Sequence, residues 1–131
     1  MSIERQEAQQ RGEVFKEQLI EKLDWLDPEE AASELGCSVK QLHEHIAAKN
    51  LVGIEYNEHT LIPQILLPHG KLLPHLDTVI RSMYISSPWL QLSWLIAPNS
   101  RLNGKSPLEA LDTCPEEVFM VAKGVGIQGG A

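Results

Sequence analysis

The chain has 131 residues, of which 43% are hydrophobic and 22% are charged, and its formal net charge is −7. This length suits one domain or two small modules that share a core, and no apolar run approaches the ~18 residues that a membrane span needs. An acidic chain is a poor general ligand of nucleic acid, because the phosphate backbone repels it, so any DNA-binding site must depend on a local patch.

The first predicted element is one long helix over residues 3–25, within an N-terminal segment that covers residues 1–26. Its apolar residues recur at three- and four-residue steps, which is typical of an amphipathic helix; they are Val14, Phe15, Leu19, Leu23 and Leu26. Such a helix either packs on its own domain or forms a dimerisation arm, and the pattern leaves both open. The first ten residues are polar and we expect them to fray. They are unlike a secretory signal, which predicts a cytoplasmic protein.

Two short helices are predicted next, at the start of a module that covers residues 27–69. Asp27 caps a helix over Pro28–Leu35, and Gly36 ends it. Ser38 and Gln41 form a capping box for a second helix that runs to about Lys49. This second helix is expected to bury Val39, Leu42, Ile46 and Ala47. Two short helices joined by a tight glycine turn are typical of a helix-turn-helix.

A β-hairpin is predicted directly after these helices. Leu51–Tyr56 and Thr60–Pro63 are β-prone, and the polar residues 57–59 separate them. A hairpin in this position forms a wing, and Pro63 is expected to end its strand pairing.

The module resembles the winged helix-turn-helix of MerR- and excisionase-like proteins. The resemblance depends on Glu30-Ala31-Ala32, Leu35-Gly36, Ser38, Leu42-His43, Leu51 and Leu61-Ile62-Pro63. It implies that the second helix enters the major groove of DNA. The residues implied in DNA binding are Ser38, Lys40, Gln41, Glu44 and His45, with Lys49 on a phosphate. A module kept as a scaffold or as a protein-binding surface is the alternative.

The remaining chain predicts a small helical bundle over residues 70–124. Helices are expected at Pro74–Tyr84, from Pro88 to just before Pro98, at Pro107–Asp112, and from Cys114 to a cap at Gly124. Residues 125–131 are glycine-rich and are expected to form a flexible tail. The fold class is therefore mostly α with a small β-hairpin: a long N-terminal helix, a winged helix-turn-helix and a C-terminal helical bundle.

One polar loop in this bundle has unusually strong local signals. Asn103-Gly104 suits a turn that needs positive φ, and Ser106, Pro107 and Glu109 together specify a helix start. A surface loop of fixed shape is a natural contact site. The alternative is a well-capped helix in an ordinary bundle.

Few residues suit catalysis or metal binding. The five histidines are scattered, Cys37 and Cys114 belong to no Cys-x-x-Cys pair, and no glycine-rich phosphate loop is present. Because catalysis needs groups that converge in a cleft, we expect a binding protein that is not an enzyme and holds no metal and no cofactor.

From Ile62 onward the chain resembles the toxin-binding domain of Xre/MbcA/ParS-like antitoxins. The matching segments are Ile62-Pro63-x-Gln-Ile, Gly70–Leu76, Ser87–Leu95, Pro98–Leu111 and Glu117–Ala122. The resemblance implies an antitoxin of a type II toxin-antitoxin system, which neutralises a partner toxin such as an NAD-consuming RES-type toxin. Many such proteins also repress their own operon and form homodimers.

The resemblance also implies which residues face the toxin. These are Trp94, Asn99, Arg101, Leu102, Asn103, Gly104, Lys105 and Ser106. Two other functions stay open. One is a DNA-binding transcriptional regulator without a toxin partner, and the other is a structural scaffold or adaptor.

Overall fold

The computed structural model describes residues 14–125, which form a mostly helical protein with a small three-stranded antiparallel sheet. The elements in chain order are α1 (14–22), β1 (Trp25–Leu26), α2 (Pro28–Leu35), α3 (Val39–Ala47), β2 (Ile54–Tyr56), β3 (His59–Pro63), α4 (Leu76–Ser82), α5 (Pro88–Ile96), α6 (Pro107–Leu111) and α7 (Pro115–Ala122). Short 3₁₀ turns occupy Gln64–Leu66, Pro68–Gly70 and Ser100–Leu102. No helix in this part of the chain is long and apolar enough to cross a membrane.

The first helix ends at residue 22, so the prediction of a helix to residue 25 is wrong. Trp25 and Leu26 instead form β1, which pairs with Pro63 and Ile62 at the edge of β3. The Trp25 indole Nε1 donates to the carbonyl of Ile20 at 2.9 Å, and this bond holds the turn between helix and strand. The edge of β3 thereby gains a partner for its backbone groups.

The two short helices begin and end mainly through local signals. α2 has the predicted bounds, and Gly36 closes it in the left-handed region at φ 70°. α3 ends at Ala47, before the predicted Lys49. The expectation that α3 buries Val39 and Ala47 is wrong: both are exposed, while Leu42 is fully buried. Val39 is the first residue of the helix, next to its cap, where one side faces solvent.

The hairpin is confirmed, with a shorter turn than predicted. Asn57 and Glu58 have φ of 49° and 67°, as a two-residue type I′ turn requires, and His59 pairs with Tyr56 in the strands. The pairing of β2 with β3 stops at Leu61, and Pro63 is the last residue of β3, where it lies opposite Trp25 of β1. The strand order is β1-β3-β2.

The C-terminal helices are confirmed, with corrected ends. α4 spans Leu76–Ser82, shorter than the predicted Pro74–Tyr84, because His75 before it adopts φ 71°. The last helix is capped by Lys123 in the right-handed helical region, so the prediction of Gly124 as the cap is wrong. The Gly124 N–H donates to the carbonyl of Val121 at 3.1 Å and adds one further turn.

The buried apolar side chains of the N-terminal region (residues 14–63) and of the C-terminal region (residues 64–125) belong to one cluster. Leu42 and Ile62 contribute from the N-terminal region, and Leu95 and Val118 from the C-terminal helices. At the surface, the Arg81 guanidinium donates through Nη2 to the carbonyl of Ala48 at 2.7 Å and joins α4 to the end of α3. The predicted fraying of the first ten residues and, apart from Val125, the predicted flexible tail concern residues outside the described range. The Val125 carbonyl accepts from the Tyr84 N–H at 3.0 Å.

Candidate partner-binding site

The loop after α5 is held by hydrogen bonds that converge on Asn99. The Asn99 N–H donates to the carbonyl of Lys105 at 3.0 Å, and its own carbonyl accepts from Leu102 and Gly104 at 3.0 and 2.9 Å. Its side-chain Oδ1 accepts from the Arg101 N–H at 2.9 Å. The bond from Asn99 to Lys105 thus joins the two ends of the loop, and the other bonds to Asn99 hold the turn between them. We call residues 99–106 the basic loop.

The turn of the basic loop depends on two residues in the left-handed region. Asn103 has φ 59° and Gly104 has φ 81°, a conformation that asparagine and glycine adopt with least strain. Leu102, just before them, is only 2% exposed and anchors the loop in the core. The turn is therefore fixed from inside as well as along its backbone.

The basic loop ends in the capping box that begins α6. The Glu109 N–H donates to Ser106 Oγ at 3.2 Å. In return, Glu109 Oε1 accepts from the Ser106 N–H at 3.3 Å and from Ser106 Oγ at 3.0 Å. These bonds satisfy backbone donors at the helix start. The carboxylate of Glu109, the nearest in sequence to the loop, is thereby hydrogen-bonded to Ser106.

Two cations project from this fixed frame. Arg101 and Lys105 are exposed, and within residues 14–125 the only ion pair joins Arg81 to Asp77. Arg101 lies beside the end of α7, because its Nη1 is 3.9 Å from the position that a Cβ on Gly124 would take. A cation is favoured there by the negative end of the helix dipole. The loop can therefore offer positive charge to an anionic surface.

The structure divides the predicted toxin-facing residues into two groups. Arg101, Asn103, Gly104 and Lys105 are exposed, and Trp94 and Asn99 are partly buried. Leu102 and Ser106 are 2% and 5% exposed, so they shape the loop from within and have almost no surface for a partner. The turn signals in the sequence revealed the loop but not the depth of each side chain.

An exposed apolar side chain on α5, that of Leu90, is not among the predicted toxin-facing residues. Leu90 is 50% exposed on α5 and lies four residues before Trp94, so the two side chains occupy the same helix face. The signal that could have identified it is the apolar character of α5 on nearly all sides.

The predicted DNA-facing residues lie on or beside α3. Ser38 and Gln41 bond to each other's backbone N–H in the capping box, at 2.9 and 3.1 Å. His45 is partly buried, and its Nδ1 lies 3.1 Å from Asn50 Nδ2. The remaining three are exposed: Lys40, Glu44 and Lys49.

The charge around α3 is negative. Residues 27–63 hold seven Asp and Glu side chains against two Lys, a net charge of −5 with histidine neutral. Residues 64–125 hold five of each sign. Across residues 14–125, no three His, Cys, Asp or Glu side chains are grouped so that they could hold a metal ion.

Comparison with known proteins adds one structural likeness. No family model and no curated protein matches the chain. The NMR structure of Rv2175c is similar, with a TM-score of 0.63 over 77% of this chain and 80% of that chain, at 20% sequence identity. The likeness shows the fold alone.

Proposed function

We propose that the chain is an antitoxin-like protein of a type II toxin-antitoxin system, and that it neutralises a partner toxin by presenting the basic loop. The observation that carries the proposal is the loop itself. Its backbone is closed through Asn99, and Arg101 and Lys105 project from it without an ion pair among the described residues. The resemblance of Pro98–Leu111 to the Xre/MbcA/ParS-like toxin-binding domain supports the same function.

The partner in this proposal is a protein toxin encoded beside the chain, such as an NAD-consuming enzyme of the RES type. A rigid loop loses little conformational entropy when it binds, so its contacts contribute more fully to affinity. The chain would act in the cytoplasm, as a homodimer, and would bind its toxin without a cofactor.

Co-expression with the product of the neighbouring reading frame tests this function. The native chain should restore growth and co-purify with the toxin. The double variant Arg101→Glu with Lys105→Glu should lose both effects, because charge reversal replaces attraction by repulsion. The matched control, Lys40→Glu with Lys49→Glu, reverses two exposed cations on the other region and should behave as the native chain. Failure of the native chain to form a complex contradicts the proposal.

A DNA-binding transcriptional regulator without a toxin partner is the second candidate function. The observation in its favour is the order of α2, a glycine turn, α3 and a hairpin, which suits a winged helix-turn-helix with α3 in the major groove. The same module would repress the operon of an antitoxin.

Binding to DNA from upstream of the gene tests this second function. The affinity should fall with salt and should weaken in Lys40→Ala, because each phosphate contact releases counterions. Lys71→Ala, a cation beyond the hairpin, is the control. If the chain does not bind this DNA at low salt, the regulator function is excluded.

A further inference from the structure

We propose that the partner-binding surface continues from the basic loop along α5 to Leu90, and that it fits a protein surface whose apolar patch is bordered by Asp and Glu carboxylates. This inference rests on the proposed function, since the partner is the same toxin. We call Leu90, Trp94 and the basic loop together the binding strip.

The binding strip follows from the rotation of α5 in the core. Gln91, Leu92 and Leu95 are buried, and the Gln91 side chain donates through Nε2 to the carbonyl of Ile85 at 2.8 Å. These contacts fix which side of α5 faces inward. Leu90 lies on the outward side, and Trp94, one turn nearer the loop, is partly buried at the edge of that side. α5 ends at Ile96, three residues before the basic loop begins.

The aromatic side chain next to Leu90 on α5 has partners within the chain, whereas Leu90 itself is half exposed. The Trp89 ring meets Tyr56 of β2 edge to face, with centroids 6.0 Å apart, and Lys16 Nζ lies 5.5 Å from its centroid. Leu90, the next residue, is 50% exposed. The described residues thus pack against Trp89 but leave the Leu90 side chain open, on the helix that leads into the basic loop.

The charge at the loop end of the binding strip indicates the chemistry of the partner. Arg101 and Lys105 are exposed, and the nearby Glu109 carboxylate bonds to Ser106. The active site of the proposed NAD-consuming toxin would bind phosphate groups. A pocket of that kind is itself lined by cations and N–H donors, so it would repel Arg101 and Lys105. Carboxylates at the rim of a cleft complement the loop, and an apolar surface beside them complements Leu90 and Trp94.

Calorimetric titration of the full-length chain with the purified toxin tests both the contact at Leu90 and the carboxylate border of the partner. The titrations are made at about 50 and 300 mM salt. Leu90→Ala should weaken the complex roughly tenfold, as truncation of an interface anchor does. The matched control is Ile65→Ala, because Ile65 is 51% exposed and Leu90 is 50% exposed. The control should change the affinity less than about twofold, as surface substitutions usually do.

The salt series tests the carboxylate border. The native complex should weaken as salt rises, and Arg101→Gln with Lys105→Gln should remove most of that dependence. If the affinity rises with salt, the proposal that carboxylates border the partner's apolar patch is overturned.

Further outcomes separate this inference from the proposed function. A tight native complex that tolerates Leu90→Ala and Ile65→Ala equally well overturns the binding strip and leaves toxin binding intact. Loss of self-association in Leu90→Ala, without loss of toxin affinity, assigns Leu90 to a contact between copies and also overturns it. Absence of a native complex overturns both proposals. Circular dichroism of each variant shows that the fold is retained.

Discussion

The two regions of the molecule use the same local devices and differ in charge. The N-terminal region begins α3 with a Ser38–Gln41 capping box, and the C-terminal region begins α6 with a Ser106–Glu109 box. Each region also has a glycine in the left-handed region at a turn: Gly36 in the N-terminal region, and Gly104 as well as Gly70 in the C-terminal region. Yet residues 27–63 carry a net charge of −5, whereas residues 64–125 are neutral overall.

This difference shows that a well-defined turn and helix start do not by themselves mark a binding site. Both regions have them, so they serve the fold in each. The C-terminal turn itself carries two exposed cations on a backbone closed through Asn99, and the helix that leads into it has an exposed apolar residue, Leu90. These additions, rather than the caps, support the choice of the basic loop as the contact surface.

The largest expected effect comes from the core that the two regions share. Leu42→Ala and Leu102→Ala each remove a side chain that is at most 2% exposed, and each should lower the free energy of unfolding by about 2–5 kcal/mol. Because the buried side chains form one cluster, each variant should unfold in one transition. Urea unfolding followed by tryptophan fluorescence and by circular dichroism measures this. Separate transitions by the two probes would show that the regions unfold independently.

Replacement of Gly36 or of Gly104 by alanine compares the two regions, because the expected backbone strain is the same at both positions. A Cβ at Gly36 or at Gly104 would meet nothing within 4 Å, so alanine should cost only the left-handed backbone penalty, about 1–2 kcal/mol in each. Thermal unfolding should show similar losses. Toxin affinity should fall in Gly104→Ala and stay native in Gly36→Ala. Equal losses of affinity would indicate that the basic loop has no special part in binding.

The smallest expected effect concerns the surface junction between the regions. Lys16→Met removes the charge over the Trp89 ring, and it should lower the free energy of unfolding by about 0.5–1 kcal/mol. Denaturant unfolding measures the change, and Lys22→Met on the same helix is the control. A loss in the control as large as in Lys16→Met would show that the ring contributes nothing.

The sequence predicts well what depends on neighbours along the chain. The bounds of α2 follow from Asp27, Pro28 and Gly36, and the hairpin follows from two β-prone runs around polar residues. The capping box at Ser106 and Glu109 was likewise readable from spacing alone. In each case the interacting groups lie within about four residues of each other.

The errors occur where the deciding contact lies far away in sequence. β1 was missed because Trp25 pairs with Pro63, a partner that no local pattern indicates. The burial of Leu102 and Ser106 likewise depends on packing, which the turn signals around them do not reveal. The exposure of Leu90 has the same physical basis, because only the rotation of α5 decides which of its apolar side chains remain exposed.

Amide hydrogen exchange with and without the purified toxin tests the central claim most directly, because it needs no substitution. The account predicts slower exchange in peptides that cover residues 90–106 when the toxin binds, with no change over residues 38–49. Slower exchange over residues 38–49 alone would contradict it, since the toxin would then contact α3 and not the basic loop.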